Sequence, residues 1–120
     1  MENAGRTISY PKGETIYRIG DAGGQMYVVM RGGIQLHSDG GSVETVQAGG
    51  VFGEHAIIEA GPRTDRAVAL IDSEVIAIDT KRFLALVQST PSFALQLMRA
   101  MATRARLRSG EPQRARGMVA

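Results

Sequence analysis

Pairs of glycine interrupt this chain at regular intervals between short apolar runs. The pairs Gly23-Gly24, Gly32-Gly33, Gly40-Gly41 and Gly49-Gly50 follow one another about nine residues apart. Glycine supplies 15 of the 120 residues, against a usual share of about 7%. It shows no period of three, which excludes a collagen-like chain. Because glycine accepts the positive φ of tight turns, the pattern predicts a series of short strands joined by turns.

Alternating and β-branched segments fill the chain between these turns, from Glu14 to Asp79. They have the short length and even spacing of strands, and we predict about seven or eight of them. In chain order the strand segments are ETIYRI, MYVVMR, IQLH, VETV, VF, RAVAL and EVIAI. Many short strands with this spacing are typical of a sandwich, jelly roll or small barrel, so the predicted fold class is mainly β.

The apolar residues change to a helical spacing after Asp79. Asp79 or Thr80 can cap a first helix over Lys81–Gln88. The pair Thr90-Pro91 begins a second helix, since proline is well suited to the first helical position. This helix should fray after Arg108, where serine, glycine and proline follow.

These patterns divide the chain into four segments. Residues 1–11 carry no periodicity and are predicted to form a loose N-terminal arm, and residues 12–79 hold the strands. Residues 80–108 form two closing helices, and residues 109–120 form a basic, disordered tail. Six arginines lie from residue 99 onward, whereas the preceding body is mildly acidic. We interpret the basic end as a solvated helix face and expect no nucleic-acid contact, since no aromatic platform accompanies it.

The residues that the chain lacks exclude several classes of chemistry. Without cysteine it has no disulfide framework, iron–sulfur cluster or thiol nucleophile. With two histidines it has no three-histidine metal site, and His37 and His55 are interpreted as surface residues. No arrangement of nucleophile, base and metal ligand is recognisable, so we expect no enzyme, metal or cofactor. The lack of a long apolar run or leader predicts a soluble, cytoplasmic protein without membrane contact.

The segment Val51–Ala69, VFGEHAIIEAGPRTDRAVA, holds the residues best suited to binding a ligand. A strand ends at Gly53, which would let a ligand approach the backbone closely. A short helix over Glu54–Glu59 follows, and its first N–H groups could bind an anion. Glu54 could accept hydrogen bonds from hydroxyls, and Arg63 supplies a forked cation suited to a phosphate. Together these groups fit a ribose phosphate.

This segment and the strands before it resemble the cyclic nucleotide-binding domain family, which occurs in catabolite-activator-like regulators and protein kinase A regulatory subunits. The resemblance extends from about Lys12 to Leu107 and rests on KGETIYRIGDAGGQMYVVMRGGIQL, FGEHAIIEAGPR and the two closing helices. It implies an eight-stranded β-roll, or jelly roll, with a short cassette helix and two C-terminal helices. Residues 52–66 correspond to the family's phosphate-binding cassette.

The resemblance also implies that seven cassette residues contact the ligand. These residues are Gly53, Glu54, His55, Ala56, Arg63, Thr64 and Asp65. Glu54 would bind the ribose 2′-hydroxyl, and Arg63 would pair with the cyclic phosphate. Gly53 would give close backbone approach, and the amides of His55 and Ala56 would lie near the phosphate.

The chain departs from the family pattern just after Arg63. Asp65 stands where the family usually has a small residue. A carboxylate about 4 Å from a phosphate would cost about 4 kcal/mol at an effective dielectric constant of about 20. Asp65 either points away and holds Arg63 or Arg66 in place, or fills the anion site and leaves a degenerate pocket.

The base-binding side of the site is less defined by the sequence. Arg66 replaces the Thr or Ser that contacts guanine in cGMP-preferring relatives, which favours cAMP over cGMP. Arg66 is itself a possible base contact, and the last helix provides three further candidates: Arg104, Leu107 and Arg108.

The resemblance therefore implies a stand-alone sensor that binds a cyclic nucleotide and moves its C-terminal helices. The hinge would lie near Asp79–Phe83, with Phe83 and Leu84 as the moving contacts. Output would pass through a homodimer formed by the last helix, over Pro91–Leu107, or through an unidentified protein partner. The alternative is a degenerate β-roll that serves protein association without a nucleotide.

Overall fold

The computed structural model describes residues 6–108, and all of their side chains except those of residues 100, 101 and 103–108. Within this range, two four-stranded antiparallel sheets and three helices form the fold. The strands are β1 (Arg6–Tyr10), β2 (Thr15–Tyr17), β3 (Gln25–Arg31), β4 (Gly33–Ser38), β5 (Val43–Gln47), β6 (Val51–Phe52), β7 (Asp65–Ala69) and β8 (Ser73–Asp79). The helices are α1 (His55–Ile58), α2 (Thr80–Ser89) and α3 (Pro91–Arg108). The predicted β-roll with a short cassette helix and two C-terminal helices is confirmed.

The order of the strands brings distant parts of the chain together. One sheet has the order β1-β8-β3-β6 and the other has the order β2-β7-β4-β5. Strands β1 and β2 follow each other in sequence but lie in different sheets, and so do β7 and β8. The chain therefore crosses repeatedly between two layers that enclose a common core, as in a jelly roll.

Three aromatic rings stack in the interior between the sheets. Tyr27 and Phe52 lie 4.9 Å apart between ring centroids, and Tyr17 lies 6.1 Å from each of them. Small and branched apolar residues from both sheets complete this core. Offset aromatic pairs add about 0.5–1.5 kcal/mol each beyond the area that they bury. The three stacked rings therefore provide a rigid surface for the side chains that pack against them.

The two closing helices cover the outer face of the β1-β8-β3-β6 sheet. Met26 and Ile78 are buried beneath them with Leu97 of α3, and Phe83 and Phe93 pack against this cluster. Neighbouring residues on β3 and β8 point the other way, into the core between the sheets. Both strands are therefore apolar on both faces, which explains why MYVVM and VIAI do not alternate between polar and apolar residues.

The prediction of a loose N-terminal arm over residues 1–11 is wrong for Arg6–Tyr10. These five residues form β1 and pair with β8 in unbroken antiparallel register, from Arg6 opposite Ala77 to Tyr10 opposite Ser73. Ile8 and Tyr10 pack against the core from this edge. Two apolar residues in a short segment give too weak a period to be recognised, and the strand forms because β8 supplies a partner edge.

The boundaries of the helices follow the predicted signals. The Asp79 carboxylate accepts a hydrogen bond from the Arg82 amide at 2.8 Å, so Asp79 is the N-cap of α2, which begins at Thr80. Pro91 is the first residue of α3.

The predicted tail over residues 109–120 lies outside the described residues. Across residues 6–108, no helix has the length and apolar character needed to cross a membrane.

Candidate functional site

The cassette begins where β6 ends at the core of the molecule. Gly53 follows β6 with φ of +77°, a left-handed conformation that favours glycine. Glu54 precedes α1, and its side chain is only 1% exposed. One oxygen of this carboxylate lies 3.3 Å from Nδ1 of His55, whose ring is more accessible. The turn thus places a buried acidic group at the start of a four-residue helix.

Arg63 is held by backbone carbonyls and by an aromatic ring. Its Nη1 donates a hydrogen bond to the Gly53 carbonyl at 2.8 Å, and its Nη2 donates one to the Gln25 carbonyl at 2.7 Å. The guanidinium carbon lies 4.1 Å from the centre of the Tyr17 ring and 5.6 Å from that of Tyr27. With 6% of its surface exposed, Arg63 is a fixed cation on the aromatic stack.

This arrangement changes the role expected for Gly53. The sequence suggests that Gly53 lets a ligand approach the backbone. In the structure, a Cβ atom at this position would lie 2.8 Å from Nη1 of Arg63 and 3.3 Å from Cδ2 of Tyr27. Glycine is therefore required here by the guanidinium itself, which occupies the space that a side chain would fill.

Asp65 lies at the start of β7 and is buried, with 7% of its surface exposed. It is close to the hydroxyl of Tyr17, which is itself buried. Burial raises the pKa of this phenol far above its ordinary value, and the negative charge of Asp65 raises it further, while Arg63 has the opposite effect. The Asp65 carboxylate, the Tyr17 ring and the Arg63 guanidinium thus form one electrostatic unit.

All seven residues predicted to contact the ligand line a single small hollow of about 10 Å³. Leu36 and Pro62 complete its wall. Sequence analysis did not select these two residues for the site. The alternation of apolar and polar residues along β4 indicates that Leu36 points inward. Its position beside the hollow becomes visible only in the folded cassette. The structure therefore brings together a buried carboxylate, a buried cation, a second carboxylate and the first turn of α1.

The possible base contacts are not part of this hollow in the described residues. Arg66 is exposed on β7, between the buried residues Asp65 and Ala67, and it does not line the hollow. The side chains of Arg104, Leu107 and Arg108 lie outside the described side chains. The structure thus brings together the residues predicted to contact the phosphate and ribose, and Arg66 lies apart from them.

A second, more apolar groove adjoins the cassette. It is lined by residues of the loop before β3, of α1 and the segment after it, and by the first residue of α2. Ala56 lines both this groove and the hollow. A Cβ atom on Gly23 would collide with Ala56, so the loop before β3 packs directly on α1. The cassette helix is therefore in contact with the hollow on one side and lies beside the start of α2 on the other.

The two histidines each lie beside a polar side chain. Among residues 6–108, no group of three or more His, Cys, Asp or Glu side chains is placed to hold a metal ion. His37 shares a hydrogen bond of 3.0 Å with Gln35 on the same strand, and His55 faces Glu54.

Comparison with protein families gives a match over residues 7–90 to the cyclic nucleotide-binding domain. The chain belongs to this family. The match contains every cassette residue described above and both sheets apart from Arg6, and it ends just before α3. The resemblance drawn from the cassette sequence is therefore confirmed.

Individual relatives agree with this assignment. The cyclic AMP receptor protein of Thermus thermophilus is 34% identical over 102 residues, which are 81% of this chain and 47% of the relative. A cAMP-dependent protein kinase regulatory subunit of Eremothecium gossypii is 38% identical over 72 residues, or 60% of this chain and 16% of the subunit. By name, both relatives are regulatory or receptor proteins rather than enzymes. The chain spans about half the length of the bacterial relative.

Solved structures give the same fold. The crystal structure of the Thermus thermophilus catabolite activator protein has a TM-score of 0.72 at 32% identity, covering 88% of this chain and 52% of that one. A structure described under a cyclic-GMP-dependent signalling pathway of bacterial phytopathogenesis has a TM-score of 0.71 at 27% identity and covers 84% of each chain. The descriptions of these similar proteins therefore refer to both cyclic AMP and cyclic GMP.

Proposed function

We propose that this chain is a regulatory sensor that binds a cyclic nucleotide, cAMP in preference to cGMP, in the hollow of the cassette. One observation carries the proposal: the seven residues that the family resemblance implies as ligand contacts line the same hollow. Family membership supplies the ligand class. The family match does not favour the alternative, a degenerate β-roll that associates with proteins without a nucleotide.

The groups in the hollow suit the two polar parts of such a ligand. The buried Glu54 carboxylate would accept a hydrogen bond from a ribose hydroxyl, and Arg63 would oppose the charge of the cyclic phosphate. The guanidinium carries more N–H groups than its two carbonyl contacts use, so it can bind a phosphate without leaving Gly53 and Gln25. The amides of His55 and Ala56 lie in the first turn of α1, where a helix provides no internal acceptor.

The preference for cAMP rests on two points. Arg66 stands where cGMP-preferring relatives have a Thr or Ser that contacts guanine. The names of two relatives refer to cAMP. The name of one structural neighbour refers to cyclic GMP, so the preference needs a direct comparison of both nucleotides.

Ligand binding would reach the closing helices through α1. Residues of α1 and the first residue of α2, Thr80, line the same groove, so a shift of α1 changes the surface on which α2 begins. Phe83 packs on the sheet, whereas Leu84, proposed from the sequence as a second moving contact, is 56% exposed. We therefore expect Phe83 to transmit the movement. The ligand would drive it by binding one of two hinge states more tightly than the other.

Isothermal titration with cAMP and cGMP tests the proposal. We expect saturable binding with cAMP tighter than cGMP. Arg63→Ala and Glu54→Gln should each weaken cAMP binding at least tenfold, since a hydrogen bond to a charged group contributes about 1.5–3 kcal/mol.

Two exposed residues provide matched controls. Arg31→Ala removes a positive charge and Glu59→Gln a negative one, and neither residue lines the hollow. Both should bind cAMP as the unaltered chain does. Circular dichroism checks that Arg63→Ala is folded, and Glu54→Gln provides the test if it is not. The absence of binding at millimolar nucleotide would disprove the proposed function.

A further inference from the structure

Two of the side chains that line the hollow are carboxylates. Its charged side chains are the carboxylates of Glu54 and Asp65 and the guanidinium of Arg63, and all three are more than nine-tenths buried. His55, whose ring faces the Glu54 carboxylate, is a further ionisable side chain of the lining. A site for an anion would be expected to hold more cations than carboxylates, because buried charges are weakly screened.

The contacts of Arg63 bear on the role of the second carboxylate, that of Asp65. Two carbonyl hydrogen bonds and the Tyr17 ring already fix the guanidinium. Asp65 supplies neither carbonyl, and its carboxylate lies close to the hydroxyl of Tyr17. Asp65 therefore brings a second carboxylate to the hollow, while two backbone carbonyls hold the guanidinium.

We propose that Asp65 is a specificity-determining residue whose carboxylate lowers the affinity of the hollow for phosphates and selects monoanionic phosphodiesters over dianionic phosphomonoesters. The proposal rests on the function proposed above. A cyclic nucleotide carries one negative charge, whereas an acyclic nucleoside monophosphate carries nearly two at neutral pH. Repulsion from a fixed carboxylate grows in proportion to the ligand charge, so Asp65 disfavours the acyclic ligand more strongly.

The test compares cAMP with 5′-AMP in the unaltered chain and in Asp65→Asn, which preserves the shape of the side chain and removes its charge. Isothermal titration in one buffer at constant salt gives both dissociation constants for each protein. We expect Asp65→Asn to bind cAMP at least tenfold more tightly. Its affinity for 5′-AMP should increase by a larger factor, so that the preference for the cyclic ligand narrows.

Asp39→Asn is the matched control, since Asp39 is an exposed carboxylate in the turn between β4 and β5. It should leave both dissociation constants unchanged. Asp65→Ser and Asp65→Ala repeat the test with small side chains if the asparagine variant does not fold. Failure of all three variants to fold would assign Asp65 a structural role and overturn the inference.

The remaining outcomes separate this inference from the proposed function. If the unaltered chain binds cAMP and Asp65→Asn binds it no more tightly, or gains no more for 5′-AMP, the inference is wrong and the proposed function stands. If neither protein binds at millimolar ligand, both are wrong. If only Asp65→Asn binds, the inference is supported and the unaltered chain is not a nucleotide sensor.

Discussion

Individual residues in this protein serve the site and the core at the same time. Arg63 faces the hollow, yet its two terminal nitrogens join the Gly53 carbonyl to the Gln25 carbonyl of β3. It therefore closes the cassette onto the β1-β8-β3-β6 sheet. A substitution at this position changes the charge of the site and the packing of the loop together, which is why charge-preserving and shape-preserving controls are needed.

Gly53→Ala should reduce both stability and nucleotide binding. Its Cβ atom would collide with Nη1 of Arg63, and its positive φ adds strain, so we expect a loss of about 1–3 kcal/mol in the free energy of unfolding. Urea denaturation measures this loss. Gly40→Ala is the control, since a Cβ at Gly40 meets no atom within 4 Å. Equal stability of the two variants would contradict the proposed role of Gly53.

At the scale of elements, the closing helices are attached to the sheet through a small number of side chains. Phe83 of α2 and Phe93 of α3 meet edge to face, with ring centroids 6.2 Å apart, above the buried Met26 and Ile78. Leu97 is buried in the same cluster, whereas Leu95 and Met98 of α3 are exposed. This attachment is modest in size, which is compatible with the proposed movement of the helices relative to the sheet.

Phe83→Ala should destabilise the attachment of the helices and Leu84→Ala should not. Phe83 is partly buried against the sheet, and we expect its truncation to cost about 2 kcal/mol. Leu84 is the adjacent residue of α2 and is mostly exposed, so its truncation should stay within about 0.5 kcal/mol. Chemical denaturation and hydrogen exchange of α2 distinguish the two variants. A similar effect of both substitutions would mean that α2 packs in a different orientation.

At the scale of the whole molecule, the hollow depends on the sandwich as a unit. Tyr17 comes from β2, Gln25 from β3, Leu36 from β4 and Asp65 from β7, and these strands belong to different sheets. The cassette connects the two sheets, because it runs from β6 in one to β7 in the other. A ligand in the hollow would therefore bind the folded chain and not the unfolded one.

Saturating cAMP should stabilise the entire fold. At a free ligand concentration of 100 times the dissociation constant, mass action adds about 2.7 kcal/mol to the free energy of unfolding. For a domain of this size, that corresponds to an increase in Tm of about 10 °C or more. Differential scanning calorimetry measures it, with adenosine as the uncharged control. An unchanged Tm under conditions in which titration shows binding would contradict a site that forms only in the folded chain.

Much of this architecture was predictable because its signals are local. The glycine-rich turns, the alternating segments, the Asp79 cap and the Thr90-Pro91 helix start act within a few residues, and the structure confirms them. Strand β1 was missed because its pairing depends on β8, far away in sequence. The predicted roles of Glu54 and Arg63 in contacting a nucleotide stay predictions until binding is measured.

The sequence by itself determined a mainly β fold through the spacing of its strands and turns, and its resemblance to the family indicated the seven residues that line the hollow. Only the tertiary structure decided that Arg63 bonds two carbonyls, that Gly53 makes room for a guanidinium, and that Asp65 is buried beside Tyr17. The physical reason is that burial and charge balance arise from strands of different sheets meeting at one point. No local pattern contains that information.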